Sequence, residues 1–430
     1  MPELSQLNTY LVGGAVRDHL LGLSVEDRDW VVVGSSPQEM VDWGFEPVGK
    51  DFPVFINKDT GEEYALARTE RKTAKGYQGF QFSTSPDITL EEDLARRDLT
   101  INAMAQDVDG KVIDPFNGQA DLQAKIIRHV SEAFVEDPVR ILRAARFAAR
   151  FKFTIAPETM ELMQSMVSNG EVDSLVPERV WAETYKALKS DAPQIFFQVL
   201  RDCGALKRVM PEVDALFGVP QTATYHPEID TGIHTMMVME QAAKLTQDTM
   251  VRFAALVHDL GKAITPEDVL PSHKGHELAG LPLIREFCER LRVPKKYQAL
   301  ALAVGEYHLH MHKMYELKAT TVLKVLEKTR SLMDDQRAEQ VALACLADAR
   351  GRTGFENRDY SQAKVFIQFQ QAAKSVDAGA IAESVTENLK QDLIDSGDQT
   401  PHTGEKIQSA IRAARLEKIK EIQRTLKESA

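Results

Sequence analysis

Strand signals stop near residue 130, and almost everything beyond reads as helix. At 430 residues the chain exceeds one ordinary domain, so two to four are expected. Before the break, Tyr10-Leu11-Val12 reads as a strand entering Gly13-Gly14, and Ala15–Leu21 as a helix. Trp30–Val33 continues a strand beginning near Asp27, and Ser36-Pro37-Gln38-Glu39 carries a capping box with proline at the first helical position. Val54–Ile56 and Tyr64–Ala67 read as strands, and Asp109-Gly110 as a hairpin turn between Ala105–Val108 and Lys111–Ile113. No regular βαβ rhythm links them, so the class is α+β. Thr69–Pro86, rich in Gly, Ser, Thr and Lys, reads as a mobile loop. Helical signals dominate from Asp137 onward, and polar Gly351–Asp359 reads as a joint into a helical tail.

Composition narrows the setting. Hydrophobic residues at 43% can fill real cores, and no run of about 18 apolar residues is present, so no membrane helix is expected. Met1-Pro2-Glu3-Leu4-Ser5 lacks the basic start and apolar run of a signal peptide. Cys203, Cys288 and Cys345 are sparse and far apart, which suggests reduced core thiols and a cytoplasmic location. A net charge of -12 argues against indiscriminate nucleic-acid binding, but a local basic surface can still hold RNA.

The chemistry concentrates in three clusters. In the first, Gly13 and Gly14 allow close backbone approach to a phosphate at a helix start. Arg17, one turn in, is placed for the same phosphates. Asp27 and Asp29, two apart on a strand, project to one face as hard oxygen ligands for Mg²⁺. Glu63 is either a third carboxylate, accepting the proton of an attacking hydroxyl, or an exposed strand glutamate. In the second cluster, Arg96 to Ala105, Arg97 suits phosphate and Asp98 a ribose hydroxyl; the plainer reading makes Asp98 a helix N-cap. The third, Glu136 to Phe147, places Asp137 and Arg140 as helix-surface neighbours. They form a weak surface ion pair or a base-reading pair. Cytosine and adenine present an amino donor beside a ring-nitrogen acceptor, which a carboxylate beside a guanidinium complements; uracil and guanine present the reverse. Arg143 and Arg146 drift round the helix toward other parts of a bound nucleotide.

Together, Gly-Gly-Ala-Val-Arg-Asp at 13–18, the Asp27-x-Asp29 pair, Arg-Arg-Asp-Leu-Thr-Ile-Asn at 96–102 and Glu-Asp-Pro-Val-Arg at 136–140 resemble the bacterial class II CCA-adding enzymes (tRNA nucleotidyltransferases). The resemblance covers at least residues 10 to 220. It implies a polymerase-β-like nucleotidyltransferase head followed by an all-helical neck, and template-independent addition of C, C and A to tRNA from CTP and ATP. It assigns Asp27 and Asp29 to Mg²⁺. It assigns Gly14, Arg17, Arg97, Arg143 and Arg146 to CTP or ATP, and Asp137 with Arg140 to the base edge. Thr69–Pro86 matches a flexible loop that helps switch from C to A addition.

Farther on, His258-Asp259 follows an apolar helix and precedes Gly261-Lys262, with His234 upstream and Asp348 downstream. Nitrogen and carboxylate donors suit a transition metal better than Mg²⁺. This pattern resembles the HD phosphohydrolases, whose metal ligands carry over to His234, His258, Asp259 and Asp348, with His276 and His308 as a secondary set. His310 and His312 read as solvated or packed. CCA enzymes bearing an HD domain imply phosphatase and 2′,3′-cyclic phosphodiesterase activity, with nickel for the phosphatase; ligand chemistry alone also admits Mn and Co.

The expected division is therefore head 1–130, neck 131–220, HD body 221–350 and helical tail 351–430. The expected partners are tRNA, ATP and CTP, with no membrane, in a monomer or small homo-oligomer. Two basic stretches, Arg128 to Lys152 and Arg412 to Lys427, are candidate RNA surfaces or solvated helix faces. The tail also offers Ile407, Ile411, Leu416, Ile419 and Ile422 for packing. Alternative readings are a bacterial poly(A) polymerase, or a regulatory RNA-binding protein with a degenerate head.

Overall fold

A computed structural model describes residues 7–25, 27–48, 54–72, 80–396 and 403–428. The chain forms two compact units, Met1–Val209 and Met210–Ala430.

The first unit opens with β1 (Asn8–Val12), α1 (Gly14–Leu20), β2 (Asp29–Val33), α2 (Pro37–Asp42), β3 (Glu46–Val48), β4 (Val54–Ile56) and β5 (Glu63–Leu66). Next come β6 (Arg68–Lys72), β7 (Phe80–Thr84), α3 (Leu90–Ala95), β8 (Ala105–Gln106), β9 (Val112–Ile113), α4 (Gly118–Ala124) and β10 (Ile126–Ile127). It continues through α5 (Val139–Phe151), β11 (Thr154–Ile155), α6 (Pro157–Ser168), α7 (Pro177–Leu188), α8 (Pro193–Asp202) and α9 (Ala205–Val209).

A seven-stranded sheet runs β3-β4-β5-β2-β1-β8-β9. β2 and β5 are parallel neighbours, while the other pairs in this sheet are antiparallel, as an α+β head requires. Register does the positioning. Asp29 stands opposite Val12, the residue before Gly13, and beside Glu63 on β5, so three segments of the first cluster meet at one end of the sheet. Alternation explains the apolar run of β2. Val31 packs with Val12, Leu94 and Ala105 on one face, and Val32 with Met40, Phe55 and Leu66 on the other. The expected capping box closes α2: Ser36 Oγ accepts from the Glu39 amide at 3.3 Å, and Glu39 Oε2 accepts from the Ser36 amide at 2.7 Å. The Asp109-Gly110 hairpin also forms, with Ala105 opposite Ile113 and Gly110 at φ 83°.

Two expectations are corrected here. β2 begins at Asp29, leaving Asp27 in the connection before the strand. The Thr69–Pro86 segment is not simply a loop: β6 and β7 pair antiparallel from Arg68↔Thr84 to Lys72↔Phe80. The alternating Phe80-Gln81-Phe82-Ser83-Thr84 outweighs the surrounding Gly and Ser. Its middle, 73–79, lies outside the described residues.

The second unit is helical: α10 (Pro211–Asp214), α11 (Thr231–Leu245), α12 (Thr249–Val257), α13 (His276–Arg290), α14 (Lys295–His312) and α15 (Ala319–Lys328). It ends with α16 (Asp335–Arg350), α17 (Ser361–Lys374), α18 (Ala378–Ser396) and α19 (Thr403–Glu428). Helix α19 packs on α15, α17 and α18 with Ile419 fully buried, so the apolar stripe of the tail docks within this unit. Arg412, on the same helix, pairs with Glu327 of α15. All three cysteines are free and buried. Among the described residues, no helix is long and apolar enough to cross a membrane.

Candidate functional site

In the first unit, one cavity of about 1380 Å³ is lined by Gly13, Gly14, Arg17, Asp27, Asp29, Glu63, Arg97, Asp98, Asp137, Arg140, Arg143 and Arg146. Every residue picked from the sequence for the transfer site, in head and neck, is in it. Gly13 sits at φ 68°, and a Cβ there would lie 2.9 Å from Nη1 of Arg97. Glycine is favoured there by the left-handed backbone turn.

The carboxylates stand at the exposed side. Asp27, Asp29 and Glu63 are all exposed, and register places Asp29 and Glu63 on the same face of adjacent parallel strands. Loss of hydration against the cavity wall raises the Asp29 carboxyl above its usual range; Arg97 opposes this, and the like charge of Asp27 adds to it. Hard oxygen donors gathered in this way suit a divalent cation such as Mg²⁺.

The cations are held behind them. Arg17 donates to Asn102 Oδ1 at 2.5 Å and Asp18 Oδ1 at 2.8 Å, and stacks over Phe147 and Phe151. Arg97 pairs with buried Asp93 at 3.3 Å, and its Nε is buried with no partner among the described residues. Asp98 is not a helix cap. Its Oδ1 accepts from the Leu99 amide and from Asn102, and its Oδ2 takes Arg143 Nε at 2.6 Å. Burial pushes the Asp98 pKa up, but Arg143 prevails and holds it below the usual range. Arg146 pairs with Glu183 at 2.5 Å and lies over the Phe147 ring.

Asp137 and Arg140 share the cavity but do not form the surface ion pair. The Asp137 carboxylate is taken bidentately by Arg179 of α7, at 3.1 and 2.7 Å, and accepts from the Val139 amide. Arg140 donates to the carbonyls of Ala133 and Arg96, both at 2.8 Å. A partly buried bidentate clamp is worth about 1–3 kcal/mol, against ~0.3–0.5 for an exposed helical pair, so each side chain takes its tertiary partner. The sequence reading missed Arg179, Glu183 and Asp93. A signal was present: Arg179 and Glu183 are four apart, hence on one face of α7, which packs against α5.

A second site lies in the other unit. His258 and Asp259 directly follow α12, α11 brings His234 in its first turn, and α16 brings Asp348 in its last. His234 Nε2 lies 3.2 Å from Asp348 Oδ1 and 3.7 Å from Asp259 Oδ2. His258 Nε2 lies 3.2 Å from Asp259 Oδ2 and 3.8 Å from Asp348 Oδ2. All four residues carried over for the metal thus converge, and all are buried. Close packing brings α13 alongside: a Cβ on Gly261 would meet the His276 carbonyl at 2.0 Å, so only glycine permits this approach. His276 and His308 then reach Asp259 Oδ1 at 3.2 and 3.6 Å.

Charge is balanced by burial and pairing. Burial alone would lower the His258 pKa, but Asp259 and Asp348 raise it to about 9. Burial pushes His308 down to about 3, with Asp259 opposing. Burial would raise Asp259 and Asp348, but His258 and Lys262 hold the first, and His312 with His234 the second, well below the carboxylate range. Lys262 Nζ donates to Asp259 Oδ2 and Gln221 Oε1, both at 2.7 Å.

His312, read as solvated or packed, belongs to this site. Its Nε2 meets Asp348 Oδ2 at 2.7 Å and its Nδ1 meets the Tyr360 hydroxyl at 2.9 Å. Glu228 was not anticipated either: its Oε1 lies 3.1 Å from His234 Nδ1 and 2.9 Å from His226 Nδ1. A cavity of about 570 Å³ opens onto Asp259, Lys262, His276, His308, His312, Asp348 and Arg352.

The chain matches three families in order: the poly A polymerase head domain over residues 9–128, the probable RNA and SrmB-binding site of polymerase A over 152–217, and the HD domain over 231–350. It is 57% identical over 397 residues to the multifunctional CCA protein of Paraburkholderia phymatum, covering 91% of this chain and 95% of that one. It is also 57% identical over 403 residues to the multifunctional CCA protein of Nitrosococcus oceani, covering 92% and 99%. In fold it resembles the Bacillus stearothermophilus CCA-adding enzyme in complex with CTP, with TM-score 0.66 and 21% identity over 99% of this chain and 96% of that one. The Thermotoga maritima CCA-adding enzyme complexed with tRNA gives TM-score 0.59 and 20% identity over 98% and 92%.

Proposed function

We propose that this chain, which belongs to the family of multifunctional CCA proteins, adds C, C and A to the 3′ end of tRNA from CTP and ATP, without a nucleic-acid template. The observation that carries the reading is the single cavity joining all the head residues chosen from the sequence. Asp27 and Asp29 would hold Mg²⁺, which when bound neutralises the triphosphate and orients the reacting oxygens. Gly14, Arg17, Arg97, Arg143 and Arg146 bind the nucleotide, and Asp98 the ribose. Glu63 accepts the proton of the tRNA 3′ hydroxyl as its oxygen bonds the α-phosphorus; the bond to the β-phosphate breaks and pyrophosphate leaves. Asp137 and Arg140 read the base edge. Each is fixed by partners of its own, and Asp137 Oδ2, which takes a single donor, keeps acceptor capacity for an amino group.

The HD region supplies a second chemistry, hydrolysis of phosphomonoesters and 2′,3′-cyclic phosphodiesters at damaged tRNA ends. Histidine and carboxylate donors support a transition metal there, and nickel is the proposed ion. Such a metal lowers the pKa of water when bound. The functional division runs 1–130, 131–220, 221–350 and 351–430, and the buried free thiols fit a cytoplasmic location.

The test incubates tRNA lacking CCA with Mg²⁺ and each nucleotide, separately and together. CTP alone should extend the tRNA by two C residues, and A should follow only on those. Failure of CTP alone to be incorporated would sink the reading in favour of an A-only polymerase.

A further inference from the structure

The cavity of the second unit runs from a buried floor to an open rim, and its two ends differ in chemistry. Asp259, His308 and Asp348 at the floor are buried, whereas Tyr225, which also lines the cavity, is 66% exposed. A ring that exposed contributes little to packing, and a well-anchored loop is a common place for a ligand contact. The loop carrying Tyr225 is anchored on both sides. The Gln221 amide donates to the Ile229 carbonyl at 2.6 Å, the Thr222 hydroxyl to the Pro271 carbonyl at 3.2 Å, and the Tyr225 amide to the Thr222 carbonyl at 3.0 Å. The next residue, His226, meets the His234 ring edge-on with centroids 4.6 Å apart, and His234 in turn lies 3.2 Å from Asp348. Tyr225 is thus one residue, about 3.8 Å of chain, from a side chain packed against the floor.

Two cations at the deep end are used differently. Lys262 is taken by Asp259 and Gln221, both at 2.7 Å. Arg352 stands 3.7 Å from Asp348 Oδ1, close enough for attraction but beyond a hydrogen bond, and its Nε is buried without a hydrogen-bond partner among the described residues. The point where Arg352 leaves α16 is fixed by Gly351. A Cβ on Gly351 would lie 2.7 Å from Val238 Cα, and its carbonyl accepts from His234 Nδ1 at 2.9 Å. A guanidinium with a shielded, unmatched N–H facing a cavity suits a pair of anionic oxygens, which a phosphate offers.

We propose that this cavity is a nucleoside-phosphate subsite in which Arg352 takes non-bridging oxygens of the phosphate and Tyr225 stacks on the base. Its volume of about 570 Å³ falls within the range of roughly 300–1,000 Å³ usual for such ligands. Every base has a π-face, so stacking on Tyr225 accepts any terminal nucleotide of an RNA strand and disfavours a phosphate that carries no base. This inference rests on the phosphohydrolase reading of the HD region and names the two side chains that select its substrate.

The test compares hydrolysis of adenosine 2′,3′-cyclic phosphate with that of glycerol 1,2-cyclic phosphate, which has the same ring and no base, by the full chain supplied with Ni²⁺. Tyr225→Ala should raise KM for the adenosine compound by ~10-fold, the scale of one base–aromatic contact, and leave the glycerol compound unchanged. Arg352→Ala should raise KM for both by ~10-fold, the scale of a lost charge-assisted hydrogen bond, and guanidinium ion added to the assay should restore part of it. An equal effect of Tyr225→Ala on the two compounds, or no effect, overturns the base contact. An unchanged KM in Arg352→Ala, or a loss that guanidinium does not restore, overturns the phosphate contact. A second measurement needs no turnover. In Tyr225→Trp, adenosine 3′-monophosphate should quench the added tryptophan, read as the difference from the unsubstituted chain, and glycerol phosphate should not. Arg352→Ala in that background should weaken the titration by ~10-fold. Quenching without any hydrolysis by the unsubstituted chain would sink the phosphohydrolase reading and keep the nucleotide subsite, whereas absence of quenching would overturn the subsite itself.

Discussion

In the head, Asp27, Asp29 and Glu63 stand exposed while the arginines that face them are held deeper, on Asp93, Asp98 and Glu183. In the HD region the order is inverted: Asp259 and Asp348 are buried, ringed by imidazoles whose far nitrogens are tied to backbone carbonyls or to Glu228 and Tyr360. The head thus sets guanidinium groups, oriented by acidic partners, behind exposed carboxylates. The HD site gathers histidine and carboxylate donors out of water, a donor set that suits a metal cation. The two sites thus use opposite electrostatic designs.

The sharpest way to break this contrast is to remove the exposed carboxylates. Asp27→Ala or Asp29→Ala should lower nucleotide transfer by ~10³-fold or more, the scale of losing an electrostatic stabiliser of the transition state. Hydrolysis of a cyclic phosphate should be untouched; full transfer in either variant would refute the head assignment. The converse change, His258→Ala or Asp259→Ala, should abolish hydrolysis while C and A addition survives. Loss of both activities would give these residues a folding role instead.

Arg179→Ala tests whether the head depends on braces. Freed from its clamp, Asp137 should discriminate less, raising misincorporation of UTP and GTP relative to CTP by ~10-fold, about 1.4 kcal/mol. An unchanged ratio of kcat/KM values would show that the clamp is structural only.

The smallest effects are in stability against pH. Arg143 holds the Asp98 pKa below its usual value, so that contribution is present above about pH 4 and lost as the pH falls through the lowered value. His258 is raised to about 9 in the metal-free site. Its contribution is present below its unfolded pKa of about 6.5 and lost as the pH rises toward 9. The stability of stripped protein, read by thermal melting, should therefore decline between those limits by on the order of 3 kcal/mol, and added Mn²⁺ should remove the slope because the ion replaces the proton. A flat profile in the stripped protein would contradict the charge balance described for His258.

The legible parts of the fold were those carried by local pattern. The capping box at Ser36–Glu39, the valines of β2 and the Asp109-Gly110 turn each act within a few residues, and all formed. The ribbon of β6 and β7 was hidden because cross-strand pairing competes with a turn-rich composition that says nothing of a partner strand. The partners of the site residues were hidden for the same reason. Nothing in Asp137-Pro138-Val139-Arg140 reveals that Arg179, 42 residues on, will take the carboxylate. Nothing around His312 reveals that Asp348 and Tyr360 will take its ring.

By itself the sequence determined which chemical groups the protein brings to its sites, because motif order and residue type are local properties of the chain. It determined an α+β head and a helical remainder, because periods of 2 and 3.6 are written into side-chain spacing. The tertiary structure alone decided who holds whom: Asp29 beside Glu63 by strand register, Asp137 in the fork of Arg179, and Asp259 among His258, Lys262 and His276. For Asp137 and Asp259 those are choices among distant partners, settled by burial, which makes an unpaired charge so costly that a carboxylate shielded from water takes a cation the packing brings within reach.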